Sequence, residues 1–346
     1  MSLPAPRFPD PSDAPSLRWG ILAPGGIARS FAGAVRDHTG QKIVAAASRS
    51  LDRAQAFARD FDVPHAYGDY AELVANPEVD AVYVSSTHNA HLELTLLAIE
   101  AGKHVLVEKP AGFSAAEAQR MLDAARAKGV FLMEAMWTRY LPHTDVARRL
   151  LESGALGEVR LVTADFGVNV PFDAASRMYD PAKAGGSLLD LGVYPISFAQ
   201  FALPSLGDSP VLHVAGSLSP TGSDAQVSLI LQADASSHAL LHVGVEARTP
   251  WTATISGTAG RIEIDSPFWS PSALTFYPND AEPERYPGHP TITASGGMAF
   301  EAAAFARYVT DGLDDSPLHP FSEAISALRI IDEARRRLGY TAGLEG

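Results

Sequence analysis

Apolar and polar positions along the chain follow two successive grammars. From residue 17, short apolar runs alternate with longer segments of helical period. LRWGILA at 17–23 predicts a buried strand, 25–37 a helix, KIVAAAS at 42–48 a second strand and 51–60 a second helix. The alternation continues through 80–85 (strand), 88–101 (helix), 104–107 (strand), 114–128 (helix) and 130–133 (strand), with Ser114 and Glu117 spaced as a capping box. Strands alternating with helices of this length imply an α/β fold with a doubly wound parallel sheet, whose ligands bind beyond the carboxyl ends of the strands. Candidate site residues should therefore follow strands.

Beyond about residue 139, strands come without intervening helices, at 159–166, 211–218, 225–233, 239–247, 252–256 and 261–265. This predicts a predominantly antiparallel sheet. Ala225, Val227, Leu229 and Leu231, then Leu241, Val243, Val245 and Ala247, alternate with mostly polar neighbours, so one face of that sheet should be buried. Helices at about 185–201, 298–312 and 322–338 complete an α+β second domain. The expected division is 17–138 and 139–346, after a disordered tail at 1–16 that holds five prolines.

Composition narrows the function. A chain of 346 residues fits two domains at roughly one per 150 residues. The absence of cysteine removes disulfides, thiolate nucleophiles, iron–sulfur clusters and Cys-ligated zinc, and suits a reducing cytoplasm. A net charge of −13 argues against nucleic-acid or anionic-membrane partners, and no run approaches the roughly 18 apolar residues of a membrane span. A soluble, cytoplasmic protein with a small-molecule partner is expected.

The chemistry-bearing residues follow strands as the topology requires. After the first strand, Ala23-Pro24-Gly25-Gly26-Ile27-Ala28 stands where a dinucleotide fingerprint reads G-x-G-x-x-G/A. The first glycine is missing, but Gly25 keeps the position of close approach to a pyrophosphate, and Ala28 is small enough for helix–strand packing. After the second strand comes Ser48-Arg49-Ser50, with Arg53 one turn on, where a carboxylate would bind the ribose of NAD. Two guanidinium groups there suit the 2′-phosphate of NADP, so NADP is expected over NAD; two solvated surface arginines are the other reading. The run HVLVEKPAG at 104–112 ends a strand in Glu108-Lys109-Pro110, and Pro110 keeps Lys109 out of helical geometry. In GGSLLDLGVYPISF at 185–198, Asp190 and Tyr194 are spaced i and i+4 and should share a helix face. Among the eleven histidines, His88 and His91 lie three apart at a helix start with no third ligand at metal spacing. No metal is expected, and His88, after Thr87, reads as a helix cap or cofactor-edge contact.

Taken together, the N-terminal turn, VLVEKP and GGSLLDLGVY resemble the glucose-fructose oxidoreductase / inositol dehydrogenase / MocA family of NAD(P)-dependent oxidoreductases. Within it, FLMEAMWTRYLP (131–142), ADFGVNV (164–170) and GMAFEAA are most similar to the dihydrodiol dehydrogenase and NADP-dependent D-xylose dehydrogenase branches. The resemblance implies a Rossmann-type first domain and a second domain for substrate and dimerisation. It implies Lys109 as the catalytic lysine, Tyr194 as acid/base and Asp190 as its acidic partner. Pro24, Gly25, Gly26, Ile27, Ala28, Ser48, Arg49, Arg53, Thr87, His88, Glu108 and Lys109 would then bind cofactor. Trp137, Phe166, Arg177 and Tyr194 would meet a cyclic polyol, aldose or trans-dihydrodiol. A homodimer through the second sheet and a cis Lys109–Pro110 bond are implied as well. An NADP-binding regulator without turnover is the alternative, disfavoured by the retention of Lys109 and Tyr194. A short-chain dehydrogenase is excluded, because its Tyr and Lys sit four apart on one helix.

Overall fold

The computed structural model describes residues 3–208 and 210–340, in two compact units. One comprises Phe8–Tyr140 and Ala294–Ser322. Its strands are β1 (Arg18–Leu22), β2 (Lys42–Ala47), β3 (His65–Tyr67), β4 (Ala81–Val84), β5 (His104–Glu108) and β6 (Leu132–Ala135). They form a parallel sheet in the order β3-β2-β1-β4-β5-β6, the doubly wound arrangement in which chain direction diverges from β1. Helices α1 (Gly26–His38), α2 (Leu51–Phe61), α3 (Tyr70–Val74), α4 (His91–Glu100) and α5 (Ala115–Lys128) provide the crossovers. Each β1, β4 and β5 residue from Trp19, Ala81 and Val105 onward is buried, and this explains their unbroken apolar runs. Strand β3 and helix α3 went unpredicted because three and five residues are too few for a period to show. The expected helix at 88–101 divides into a 3₁₀ turn His88–Ala90 and α4. At α5, the Ser114 hydroxyl accepts from the Glu117 N–H at 3.3 Å, but the Glu117 carboxylate takes the N–H of Phe113 at 2.8 Å instead of that of Ser114.

The helix Met298–Thr310 also belongs to this unit, although it lies in the expected second domain. Phe305 packs on Trp19 and Phe131, with ring centroids 4.9 and 5.2 Å away. Its eight-residue run Met298–Phe305 is buried throughout, so burial, not sequence proximity, decides its membership.

The other unit comprises Met1–Arg7, Leu141–Thr293 and Glu323–Gly346. After α6 (Pro142–Glu152) come β7 (Val159–Gly167) and α7 (Val193–Ala202), then β8 (Val211–Leu218), β9 (Asp224–Gln232), β10 (His238–Gly244), β11 (Ala253–Gly257), β12 (Gly260–Ile264), β13 (Leu274–Pro278) and β14 (Glu284–Tyr286). The sheet order is β14-β13-β12-β11-β7-β10-β9-β8. Pairing is antiparallel except between β7 and β10. Helix α6 was not expected, since its buried His143, Thr144 and Asp145 disguise the apolar face. The inward alternation of β9 and β10 is as read, except that Ala247 is exposed beyond the end of β10.

Residues 1–16 do not behave as a free tail where they are described. Arg7 donates to Asp145 at 2.8 Å and to Glu152 at 3.0 Å, Pro11 is buried, and Phe8 and Phe300 rings lie 6.4 Å apart. Proline content was a poor guide here, because prolines lower the entropy lost when such a segment docks.

Candidate active site

Within the parallel-sheet unit, the candidates cluster at the carboxyl ends of strands. Ala23 follows β1 with φ +61°, so an alanine occupies the left-handed conformation a glycine would accept without strain. Gly25 caps α1 with an extended backbone and has no side chain to bond the helix's first N–H groups. A Cβ built on Gly25 would meet only the Ala23 carbonyl at 3.9 Å, and one on Gly26 would meet nothing within 4 Å. The protein itself does not demand these glycines. They and Pro24, Ile27 and Ala28 form an open helix N-terminus of the kind that takes a pyrophosphate. After β2, Ser48 is buried and its hydroxyl accepts from the Ser50 N–H at 3.3 Å. Arg49 and Arg53 are both exposed and make no ion pair among the described residues, and no carboxylate ends β2. The turn residues fit a dinucleotide, and the end of β2 offers two guanidinium groups where a ribose-binding carboxylate would stand.

After β4, the Thr87 hydroxyl donates to Asn89 at 2.7 Å, and the His88 ring is buried against His91, 5.7 Å between centroids. His91 lies between the Pro110 and Ser86 carbonyls, 2.9 and 3.1 Å away, and burial holds its pKa below the usual histidine range. After β5, Glu108 is buried; its carboxylate accepts from the Tyr83 hydroxyl and, at 3.1 Å, from the Lys109 N–H. Burial pushes the Glu108 pKa up, opposed by the Lys109 ammonium. The Lys109–Pro110 bond is cis, as expected. After β6, Trp137 opens a 3₁₀ turn, Trp137–Tyr140, and is half-buried.

In the other unit, Tyr194 is half-buried in an aromatic cluster. Its ring centroid is 5.8 Å from Phe166, at the end of β7, and 6.0 Å from Trp269. Phe166 and Trp269 stack at 3.4 Å, and Trp251 stands 5.3 Å from Trp269. Trp251 adopts φ +66°, a strained conformation for a bulky residue, held by its N–H to Asp165 at 2.8 Å and its indole N–H to the Gly167 carbonyl at 2.6 Å. Sequence reasoning missed Trp251 and Trp269, since both follow strand ends without a motif. The SPF run before Trp269 gave no periodic signal.

Tyr194 does not sit on the uniform helix expected at 185–201. A π-helical turn, Leu188–Gly192, precedes α7, so Asp190 lies in the wider turn and Tyr194 in the helix. The Asp190 carboxylate accepts from Arg177 at 2.8 Å, which ties the 3₁₀ turn Arg177–Tyr179 to the start of this helix. The GG pair here is steric: a Cβ on Gly185 would lie 2.5 Å from the Arg177 carbonyl, and one on Gly186 2.3 Å from Asp224. Asp224 caps the turn, accepting from Leu188 N–H at 2.6 Å and the Ser187 hydroxyl at 2.9 Å.

Among the described residues no group of three or more His, Asp or Glu side chains could hold a metal ion, and no helix is long and apolar enough to cross a membrane.

A doubly wound sheet with an open, glycine-bearing first turn and candidate groups at its strand ends defines a dinucleotide-binding class of protein, and comparisons with known proteins agree. Residues 17–136 match the oxidoreductase family with an NAD-binding Rossmann fold, and 144–263 match the GFO/IDH/MocA C-terminal domain. The chain is 36% identical over 335 residues to a trans-1,2-dihydrobenzene-1,2-diol dehydrogenase of Bos taurus and 35% identical over 334 to that of Homo sapiens, each covering 94% of this chain and 98% of the relative. A 3-ketoreductase from Actinomadura kijaniata, solved with NADP and TDP-benzene, superposes with a TM-score of 0.79 at 27% identity, covering 93% of this chain and 98% of that one. An aldose-aldose oxidoreductase from Caulobacter crescentus shares the fold, with a TM-score of 0.83 at 24% identity over 94% of this chain and 98% of its own. The chain belongs to the GFO/IDH/MocA family of NAD(P)-binding oxidoreductases.

Proposed function

We propose that the protein is an NADP-dependent dehydrogenase or reductase of CH–OH groups on a cyclic polyol, aldose or trans-dihydrodiol, with Tyr194 as acid/base, Lys109 as its cationic partner and no metal. The observation that carries this reading is the aromatic cluster around Tyr194, an apolar floor for a ring-shaped substrate beside a phenol that can exchange its proton. The relatives named as dihydrodiol dehydrogenases support the substrate class.

NADP, when bound, accepts or delivers the hydride; the protein's own groups do the rest. The open turn at Gly25 and Gly26 would hold the pyrophosphate, and Arg49 and Arg53 the 2′-phosphate. For oxidation, Tyr194 must take the alcohol proton near neutral pH, although a free tyrosine titrates near 10. The Lys109 ammonium would favour the phenolate form of Tyr194 and so assist that transfer. In reduction Tyr194 returns the proton to the carbonyl oxygen while Lys109 stabilises the negative charge developing there. Asp190, paired to Arg177, orients the segment that carries Tyr194.

Turnover followed at the nicotinamide absorbance band, with aldoses, inositols and trans-dihydrodiols offered alongside NADP, tests the proposal. Turnover with at least one of these classes is expected. Tight NADP binding without turnover on any class would favour the regulatory alternative.

We also propose a homodimer through the outer face of the antiparallel sheet. Ile230 and Leu240, 41% and 40% exposed, pair directly across β9 and β10 on that face, flanked by His213 and Thr163. Leu240→Glu should convert a dimer to monomer in sedimentation velocity; an unaltered dimer would place the interface elsewhere.

A further inference from the structure

The position of the Lys109 side chain depends on a backbone turn held by three ties. One tie is local, from the Lys109 N–H to Glu108 at 3.1 Å. A second comes from His91, whose ring reaches the Pro110 carbonyl at 2.9 Å. The third comes from the neighbouring strand: Glu134, paired with Val107 across β5 and β6, accepts the Ala111 N–H at 2.8 Å. The other Glu134 oxygen meets His319 Nε2 at 2.8 Å, with the two side chains 1% and 0% exposed. His319 comes from the segment after the helix Met298–Thr310, and this segment is itself anchored. Its N–H reaches the Ser316 hydroxyl at 3.2 Å, which meets the Tyr140 hydroxyl at 2.8 Å, and the Leu318 carbonyl accepts from Arg139 at 3.2 Å.

Burying a carboxylate is costly, and a well-packed apolar residue usually serves stability as well or better. The cost is compounded here, because Glu108 and Glu301 are buried in the same region and Glu301 is held well above the usual carboxylate range by burial and by its two acidic neighbours. What Glu134 provides that an apolar residue cannot is an acceptor for the Ala111 N–H, two residues past Lys109, fixed from behind by His319. We infer that Glu134, braced by His319, is a positioning residue that sets where the Lys109 ammonium stands. The inference rests on the proposed role of Lys109 and deepens it.

Displacement of a catalytic group by about an ångström can cost up to ~10²-fold in rate. Glu134→Leu should therefore lower turnover about 10- to 100-fold, leave the NADP dissociation constant within about twofold, and move the rate-controlling pKa upward in the same direction as Lys109→Met. Glu134→Gln keeps a carbonyl acceptor for Ala111 and should recover turnover to within about threefold of wild type. His319→Leu, which leaves Glu134 in place but unbraced, should show an intermediate loss with the same pKa direction, and it decides the matter if Glu134→Leu does not fold. Wild-type turnover in these variants, or a loss without any pKa movement, would overturn the inference. If Lys109→Met itself leaves turnover and pKa unchanged, the assignment of Lys109 fails and this inference fails with it; if Lys109→Met collapses turnover while Glu134→Leu does not, only the inference fails.

Discussion

The two units hold their candidate groups by different physics. In the parallel-sheet unit, Lys109 leaves the end of β5 on a turn whose N–H and C=O groups are tied to Glu108, His91 and Glu134, so polar contacts to backbone set its place. In the other unit, Tyr194 is set by ring packing against Phe166 and Trp269 and by the helix that carries it, whose start is capped by Asp224. That cap is braced by Arg335, 3.7 Å away and, like Asp224, fully buried. Lys109 thus stands on a hydrogen-bonded turn and Tyr194 in a packed aromatic cluster.

The largest expected effect tests the two groups together. Tyr194→Phe keeps the ring and its packing, so stability and NADP affinity should barely change while turnover falls by a factor of about 10² to 10⁴. Lys109→Met should cost a similar factor and raise the rate-controlling pKa of oxidation. The double variant should lose little more than either single, since groups acting as a unit do not multiply. A Tyr194→Phe enzyme retaining more than about a tenth of its turnover would move the acid/base elsewhere, with His88 the next candidate.

A smaller effect concerns cofactor choice, which rests on the parallel-sheet unit alone. Arg49→Ala should raise the Michaelis constant for NADP about tenfold while barely touching that for NAD, consistent with losing one charge-assisted contact. An unchanged ratio would refute the NADP assignment.

The buried acids of the same unit give a pH-dependent prediction. Glu301 has both carboxyl oxygens without a hydrogen-bond partner among the described residues, and its pKa lies well above 4.5. A carboxyl raised in the folded state contributes its full stability below the unfolded pKa and loses it as pH climbs towards the folded value. Glu301→Gln should therefore be near neutral below about pH 4 and stabilising by about 1–3 kcal/mol at pH 8, read from urea unfolding. The same gain at both pH values would show that Glu301 is not an uncompensated acid.

The smallest effect lies at the first turn. Ala23→Gly removes left-handed strain of about 1–2 kcal/mol but adds unfolded-chain entropy of about 0.4–1 kcal/mol, a net gain of about 0–1.6 kcal/mol. A loss of stability would mean that the alanine methyl makes a contact worth more than its strain.

Much of the parallel-sheet unit was legible because its strands are buried on both faces and its crossovers are amphipathic, so period and polarity write each element locally. The order of candidate groups along it, from Gly25 through Arg49 to Lys109, follows the order of the strand ends. The second sheet was legible strand by strand through its inward alternation, but β13 and β14 were not read, nor the parallel pairing of β7 with β10, because partner choice depends on residues far apart in sequence. Helix α6 escaped for the opposite reason: its buried face is partly polar, and Asp145 lies inside paired with Arg148 on the same helix and with Arg7 from the chain's start. The sequence by itself thus determined most of the elements, the family motifs and the candidate groups, all properties of local pattern. Only tertiary structure decided that Trp269 stacks on Phe166, that residues 294–322 return to the first sheet, and that His319 braces Glu134 behind the Lys109 turn. Those contacts join positions as far apart as Trp19 and Phe305, and nothing in the local pattern at either end announces the other.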